Sequence, residues 1–425
     1  MRHLLVWGAL AGTACTDLAL EDADQQATDR IVTVHVLGRH YPARIVEGID
    51  VLFFTAEGEL RQRTVTDAAG IATGHIGNGG SVTIVEPVAR RLVTVSDVEP
   101  GDDITVGDLG PTPYAQLRTM TLEVPPHPNA AHYLVQSRCA WSFYYAPLST
   151  TIEVQLTQEC TDHEPLVVTA HDSADTIIGY LYDPAVPIAA GGSATLAGPW
   201  LAPLDFQIDI IRDPRDAGFN MLLQRMQGGR PIYAFNPGTR SFHGDTYQET
   251  YPVAGGGDGT LVMFEFPNFT DGFVYQLDYR PEVTTAFTAD LRANDLARVR
   301  DGLPLYAGPG PNDGFEGMSW SLDGPSPDVS DGMIVNLEAV DDEYNLTRWT
   351  FVLPPGTQGE LRAPALPDDL AIVWEGLHYD YNRVLSADTP SSGYREFLRD
   401  AETQWPFYWM YQPTQARRVT VTAAY

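Results

Sequence analysis

The chain is 425 residues long, and its 56 acidic against 26 basic residues leave a formal net charge of −30. That length suits about three domains, and that charge repels nucleic acid and anionic bilayers while favouring divalent cations. Every basic residue is Arg and no Lys occurs, so Schiff-base, P-loop and kinase chemistry, each of which needs a lysine, are excluded. A GC-rich genome or adaptation to high salt would each account for the Arg usage.

The chain opens with Arg2 and an apolar or small run over residues 4–14. That run is too short for the roughly 20 residues a bilayer requires, but it suits a secretory signal, with Gly12-Thr13-Ala14 as its small-residue cleavage site. No later segment approaches the length of a transmembrane helix. Cys15 follows at once, and the start resembles a bacterial lipoprotein, in which the signal peptide is cut before a Cys that becomes lipid-modified. The resemblance implies export and a lipid on Cys15, with Gly12 departing from the Leu-like residue usual there. Ordinary cleavage after Ala14 would instead leave Cys15 as a free thiol. Residues 16–29 are rich in acids and Gln and read as a disordered tether.

Only three cysteines occur: Cys15, Cys139 and Cys160. With lipid on Cys15, the other two form a natural disulfide pair. They flank two β-like runs joined by Ala146-Pro147-Leu148-Ser149, so a hairpin is expected to bring them together and to stabilise the fold by roughly 3 kcal/mol. Two buried reduced thiols are the alternative.

From Arg30 short β-branched runs follow one another between turn residues: IVTVHVL, IDVLFF, GSVTIVE and RRLVTVSDVE. Glu57-Gly58 and Thr66-Asp67-Ala68-Ala69-Gly70-Ile71-Ala72 form an acidic-Gly turn and then a strand entry. This part resembles bacterial carboxypeptidase-regulatory-like and invasin-type Ig-like modules, which implies a β-sandwich serving as spacer, stalk or platform. Further β-like runs are QLRTMTLEV, HYLVQSR, TTIEVQL and PLVVTAHD, and the chain closes on ARRVTVTAAY. Three segments read as short helices: 216–229 with Asp216 as N-cap, 287–302, and 392–405 with Tyr394, Phe397, Leu398 and Ala401 on one face. The expected fold is mostly β, as tandem β-sandwich (Ig-like or transthyretin-like) modules with two or three short helices. The expected boundaries are a signal at 1–14, anchor and tether at 15–29, and β-rich regions at 30–110, 111–285 and 286–425.

Motifs for catalysis are sparse. There is no G-x-S-x-G elbow, and His171-Asp172-Ser173 cannot act as a triad, because neighbours on a strand face opposite ways. No H-E-x-x-H or C-x-x-C marks a zinc site, and His127 and His132, five apart, would point to opposite faces of a strand. Among the acidic turns, Asp341, Asp342, Glu343 and Asn345 gather four oxygen donors and are the best candidate for Ca²⁺, although acidic hairpin tips are commonly turns and nothing more. If the stretch 404–413 is extended, Trp405, Phe407, Trp409 and Tyr411 share a face suited to stacking on sugars or to anchoring a protein, or else to burial between layers. The expected function is a membrane-anchored extracytoplasmic lipoprotein, not an enzyme, with a binding, adhesive or structural role in the bacterial envelope and a protein or polysaccharide partner. A carbohydrate-binding protein, calcium-assisted and using the aromatic face, is the second reading. A secreted hydrolase without a linear motif is the third.

Overall fold

The computed structural model describes residues 31–424 apart from 39–45, 87–89, 110–117, 138, 140, 143–148, 157–159, 212–217, 243, 269–271, 291–297, 307–314, 324–329, 341–345, 358, 371–377, 390 and 400–416. The first strands are β1 (Ile31–Gly38), β2 (Asp50–Phe54), β3 (Leu60–Val65), β4 (Ile71–His75), β5 (Gly80–Glu86), β6 (Arg91–Val98) and β7 (Asp103–Leu109). In β1 the period of two is plain: Val32, Val34 and Val36 are buried. They pack with Val51, Val82, Ile84, Val93 and Val95, so the sheet β4-β1-β7 covers one face of β3-β2-β5-β6.

The next strands are β8 (Arg118–Glu123), β9 (His132–Gln136), β10 (Trp141–Ser142), β11 (Thr151–Leu156), β12 (His163–His171), β13 (Ile177–Pro187) and β14 (Ser193–Thr195). They form two sheets, β10-β9-β12-β13 and β11-β8-β14. Alternation in TIEVQL turns Ile152, Val154 and Leu156 inward against Leu166, Val168 and Ala170. The Cys139–Cys160 disulfide is present, but among the described residues the strands between the two cysteines do not pair as the expected hairpin. The two intervening strands join different sheets: β10 pairs with β9, and β11 with β8.

There follow β15 (Leu204–Ile211), β16 (Gly218–Gln227), β17 (Arg230–Phe235), β18 (Arg240–Ser241), β19 (Thr246–Val253), β20 (Gly259–Asn268), β21 (Gly272–Arg280) and β22 (Ala286–Asp290). Last come β23 (Arg298–Tyr306), β24 (Phe315–Asp323), β25 (Gly332–Val340), β26 (Leu346–Leu353), β27 (Gly359–Arg362), β28 (His378–Asp388), the helix α1 (Tyr394–Arg399) and β29 (Arg417–Ala424). The mostly-β class stands, with one helix among the described residues. The segment 216–229 is a correction: Asp216 lies outside the described residues, and Gly218–Gln227 form strand β16, in which Phe219, Met221 and Leu223 are buried on alternate positions and Gly228-Gly229 turns the chain into β17. In 287–302 the described residues likewise lie in β22 and β23 rather than in a helix.

Strands from three of these groups join one 13-stranded sheet. β29 pairs on one side with β21 and on the other with β28, while β26 pairs in parallel with β6, from Arg348↔Arg91 to Val352↔Val95. The reason is visible in IDVLFF, which does not alternate. Val51 and Phe53 enter the core beneath β1, whereas Leu52 and Phe54 enter a core on the other face, with Met318, Trp320, Val335, Trp349 and Phe351. A continuous apolar strand needs cover on both sides. Here sheet β4-β1-β7 supplies one cover and β23-β24-β27 the other. The seam is keyed by the Trp349 indole, which donates to Thr94 Oγ1 at 2.9 Å, itself 2.9 Å from Thr83 Oγ1.

Helix α1 clamps the same region. Phe397 and Leu398 are buried in the first core, as the sequence pattern implies. The Tyr394 hydroxyl lies 2.8 Å from the Ser96 carbonyl and 3.2 Å from that of Val352, spanning the seam. Arg395 adds a 2.7 Å ion pair to Asp102. The Glu396 carboxylate caps the helix start by accepting from Ser392, which holds its pKa below the usual carboxylate value.

Candidate metal centre

Strands β9 and β12 run antiparallel, and their register sets His132 opposite His171. Cross-strand partners project from one face, and the two imidazoles stack with centroids 4.9 Å apart and planes 18° from parallel. After His171 the chain turns into β13 through Asp172-Ser173-Ala174-Asp175-Thr176. Asp172 builds this turn: its Oδ1 accepts from the N–H groups of Ala174 and Thr176, both at 2.9 Å. The turn before β4 is built alike, with Asp67 Oδ1 accepting from Ala69 at 2.8 Å and Ile71 at 2.9 Å.

The two turns differ at their fourth residue. Gly70 has φ 71° and Asp175 has φ 62°. Glycine accepts that left-handed conformation freely, whereas a residue with a Cβ takes it at some cost. The Asp175 carboxylate folds back over the strand ends, with Oδ1 3.1 Å from His132 Nε2 and 3.1 Å from His171 Nδ1. The imidazoles are largely sheltered, their side chains 16% and 10% exposed, while Asp175 is 67% exposed. Thr169, two residues earlier on the same face, holds the far side of the second ring with Oγ1 2.8 Å from His171 Nε2. Burial pushes the His171 imidazole below its ordinary pKa, against the opposing pull of the Asp175 carbonyl.

No linear motif marks this cluster, which the folded sheet brings together. His132 does part from His127, whose ring lies edge-on to Trp200 at 5.3 Å. Its partner is His171, which only strand register could reveal. The signal in the sequence was the repeat of an Asp-x-x turn, Asp67 to Gly70 and Asp172 to Asp175, with an acid where the first has glycine. The remaining candidates fare differently. Cys139 and Cys160 are joined. Cys15, the acidic set Asp341, Asp342, Glu343 and Asn345, and the aromatic face Trp405, Phe407, Trp409 and Tyr411 all lie outside the described residues. The acidic turn at 255–259 serves the fold, with Asp258 accepting from the Gly228 N–H at 2.9 Å.

A second polar cluster lies on β19, where Tyr247, Glu249 and Tyr251 share one face. The two hydroxyls are 2.6 Å apart, and Tyr251 also accepts from Arg240 Nε at 3.0 Å. Partial burial raises Glu249, but bonds from both tyrosines outweigh it and hold the carboxyl below its ordinary pKa.

No protein-family model matches the chain, and neither does any curated protein. Among solved structures, the TIE protein of Bacillus anthracis is 9% identical over 62% of this chain and 50% of its own, with a TM-score of 0.16. This chain thus spans half the length of that protein. A major pilin subunit of Bacillus cereus is 8% identical, covers 61% of this chain and 98% of its own, and scores 0.14. Two B repeat units of the collagen-binding protein of Staphylococcus aureus are 10% identical, cover 79% and 93%, and score 0.14. Likenesses this weak carry no argument about role. The strand pairing alone defines the class, a mostly-β protein of packed sheets.

Proposed function

We propose that this chain is a membrane-anchored extracytoplasmic lipoprotein with a non-catalytic binding, adhesive or structural role. The Cys139–Cys160 bond carries the reading. Disulfides persist in oxidising compartments, in keeping with the export signal that precedes Cys15. In this account the lipid on Cys15 holds the protein to the membrane, the acidic segment 16–29 sets its stand-off, and the packed sheets present loops to a partner. Two or three acyl chains are needed, since one holds only marginally.

Trapping thiols in growing cells with a maleimide-linked polymer before lysis tests the compartment. Cys139 and Cys160 should take no label until the protein is reduced. Labelling of both in untreated cells would place them in a reducing compartment and overturn the reading.

The β19 cluster favours polysaccharide as the partner class. The two rings pack against the core, so the part of the cluster that would meet a sugar is its polar rim, the tyrosine hydroxyls with the open Glu249 carboxylate and Arg240 guanidinium. Retardation of the protein in polysaccharide-containing gels, lost in Tyr247→Ala, is the expected outcome, and equal mobility with and without polysaccharide would remove this choice.

A further inference from the structure

We propose that His132, His171 and Asp175 bind a divalent transition-metal ion of the Zn²⁺ type, leaving a coordination position open to solvent. The donor set is two imidazole nitrogens and a carboxylate oxygen, a combination suited to borderline first-row cations. All three ligand atoms lie within 4.8 Å of one another, and both nitrogens are 3.1 Å from the same oxygen. Metal–ligand bonds of about 2.0–2.1 Å in a tetrahedron set ligand atoms about 3.3 Å apart, so two of the three edges are already near their length.

The site is held as metal sites are held. Each histidine stands on a strand, and their opposition is fixed by a five-pair register between β9 and β12. Thr169 Oγ1 meets Nε2 of His171 at 2.8 Å, the place where a ligating histidine ordinarily finds an outer partner for its other nitrogen. Nδ1 lies 3.1 Å from the Asp175 carboxylate and 3.3 Å from the Asp175 carbonyl: with the ring proton on Nδ1 it donates there, and with the proton on Nε2, given to Thr169, Nδ1 holds a lone pair for a metal ion.

The placement of the acid is the most telling feature. The turn before β4 shows that Asp-x-x-Gly closes this loop without strain, yet the turn after β12 puts a carboxylate at the left-handed position. Local strain kept at a cluster of ligating groups is a mark of function. Asp175 also lies on the exposed side of the site, which gives an ion a path in and leaves room for a water or a partner's side chain. The net charge of −30 draws cations toward it.

The test uses the full chain, stripped with chelator and titrated with ZnCl₂ by calorimetry at pH 7.5 in excess Mg²⁺, which occupies nonspecific carboxylates. About one Zn²⁺ should bind per chain and raise the melting temperature, and Co²⁺ should give the visible bands of a four- or five-coordinate ion. His132→Gln and Asp175→Gly should each weaken Zn²⁺ at least about tenfold. Asp175→Gly should leave the metal-free melting temperature unchanged or higher, because glycine relieves the turn. Absence of saturable Zn²⁺ binding, or binding untouched by both substitutions, would overturn the proposal. So would a large drop in metal-free stability for Asp175→Gly in a protein indifferent to Zn²⁺, which would make the carboxylate a brace and nothing more.

Discussion

At the scale of single residues, buried polar groups set the sharpest constraints. Arg225, on β16, is fully buried, with no carboxylate paired to it among the described residues. Its Nη1 donates to Thr260 Oγ1 at 2.7 Å and to the Thr284 carbonyl at 2.8 Å, while Nε donates to the Ala254 carbonyl at 3.1 Å. Burial accordingly lowers its pKa to about 10. Thr260 is the hub, since its hydroxyl also accepts from the Thr284 N–H and donates to the Glu282 carbonyl. Thr260→Val keeps the shape and orphans three groups, so it should lose about 2–4 kcal/mol in urea unfolding. His171 makes a prediction in pH. Its folded pKa lies below the ordinary 6.5, so the unfolded chain takes up the proton first. Stability from this group is complete above about pH 6.5 and is lost as pH falls through the lower folded value. Unfolding midpoints in metal-free buffer should therefore drop between pH 7.5 and pH 5, and less so in His171→Gln. Equal pH sensitivity in the two proteins would count against this account of the imidazole.

Among the elements, α1 shows how a short helix can matter. It has six residues, too few to stand alone, and owes its existence to Phe397 and Leu398 in the core. The Phe397 ring lies so close to Gly332 that a Cβ there would sit 2.5 Å from it. Phe397→Ala should cost about 3–5 kcal/mol and free the β6–β7 turn, read as faster hydrogen exchange at 97–102. This helix was legible because Tyr394, Phe397 and Leu398 keep a helical spacing. The segment 216–229 misled for a physical reason. Phe219, Leu222, Leu223 and Met226 satisfy a helical period, but Phe219, Met221 and Leu223 satisfy a strand period equally well. Both faces of β16 are partly covered, so burial could not separate the two, and the Gly228-Gly229 turn decided it. The disulfide pair was legible from cysteine parity, although the route by which it closes was not. It ties the end of β9 to the approach of β12, and Cys139→Ala with Cys160→Ala should lose about 3 kcal/mol at equilibrium.

Over the whole molecule, strands β2, β3, β5 and β6 of the first group share one sheet with β29. The run VLFF announces burial on both faces, but no single-strand pattern can say what supplies the second cover, here a sheet more than 200 residues downstream. The histidine pair was hidden for the same reason, because register between β9 and β12 exists only in the folded sheet. The second group of strands has its own core and its own disulfide, and it meets the third through Val167, Ile177 and Tyr180, which enter that group's core, and through Gln136, whose amide donates to the Ala234 carbonyl at 3.2 Å. In the proposed role, presentation at a distance from a membrane, everything depends on the anchor. The most direct test is metabolic labelling with a palmitate analogue, comparing wild type with Cys15→Ala and fractionating both cultures. The account predicts label on wild type alone, with the variant lost from the membrane fraction. Unlabelled protein free in the medium in both cultures would contradict it.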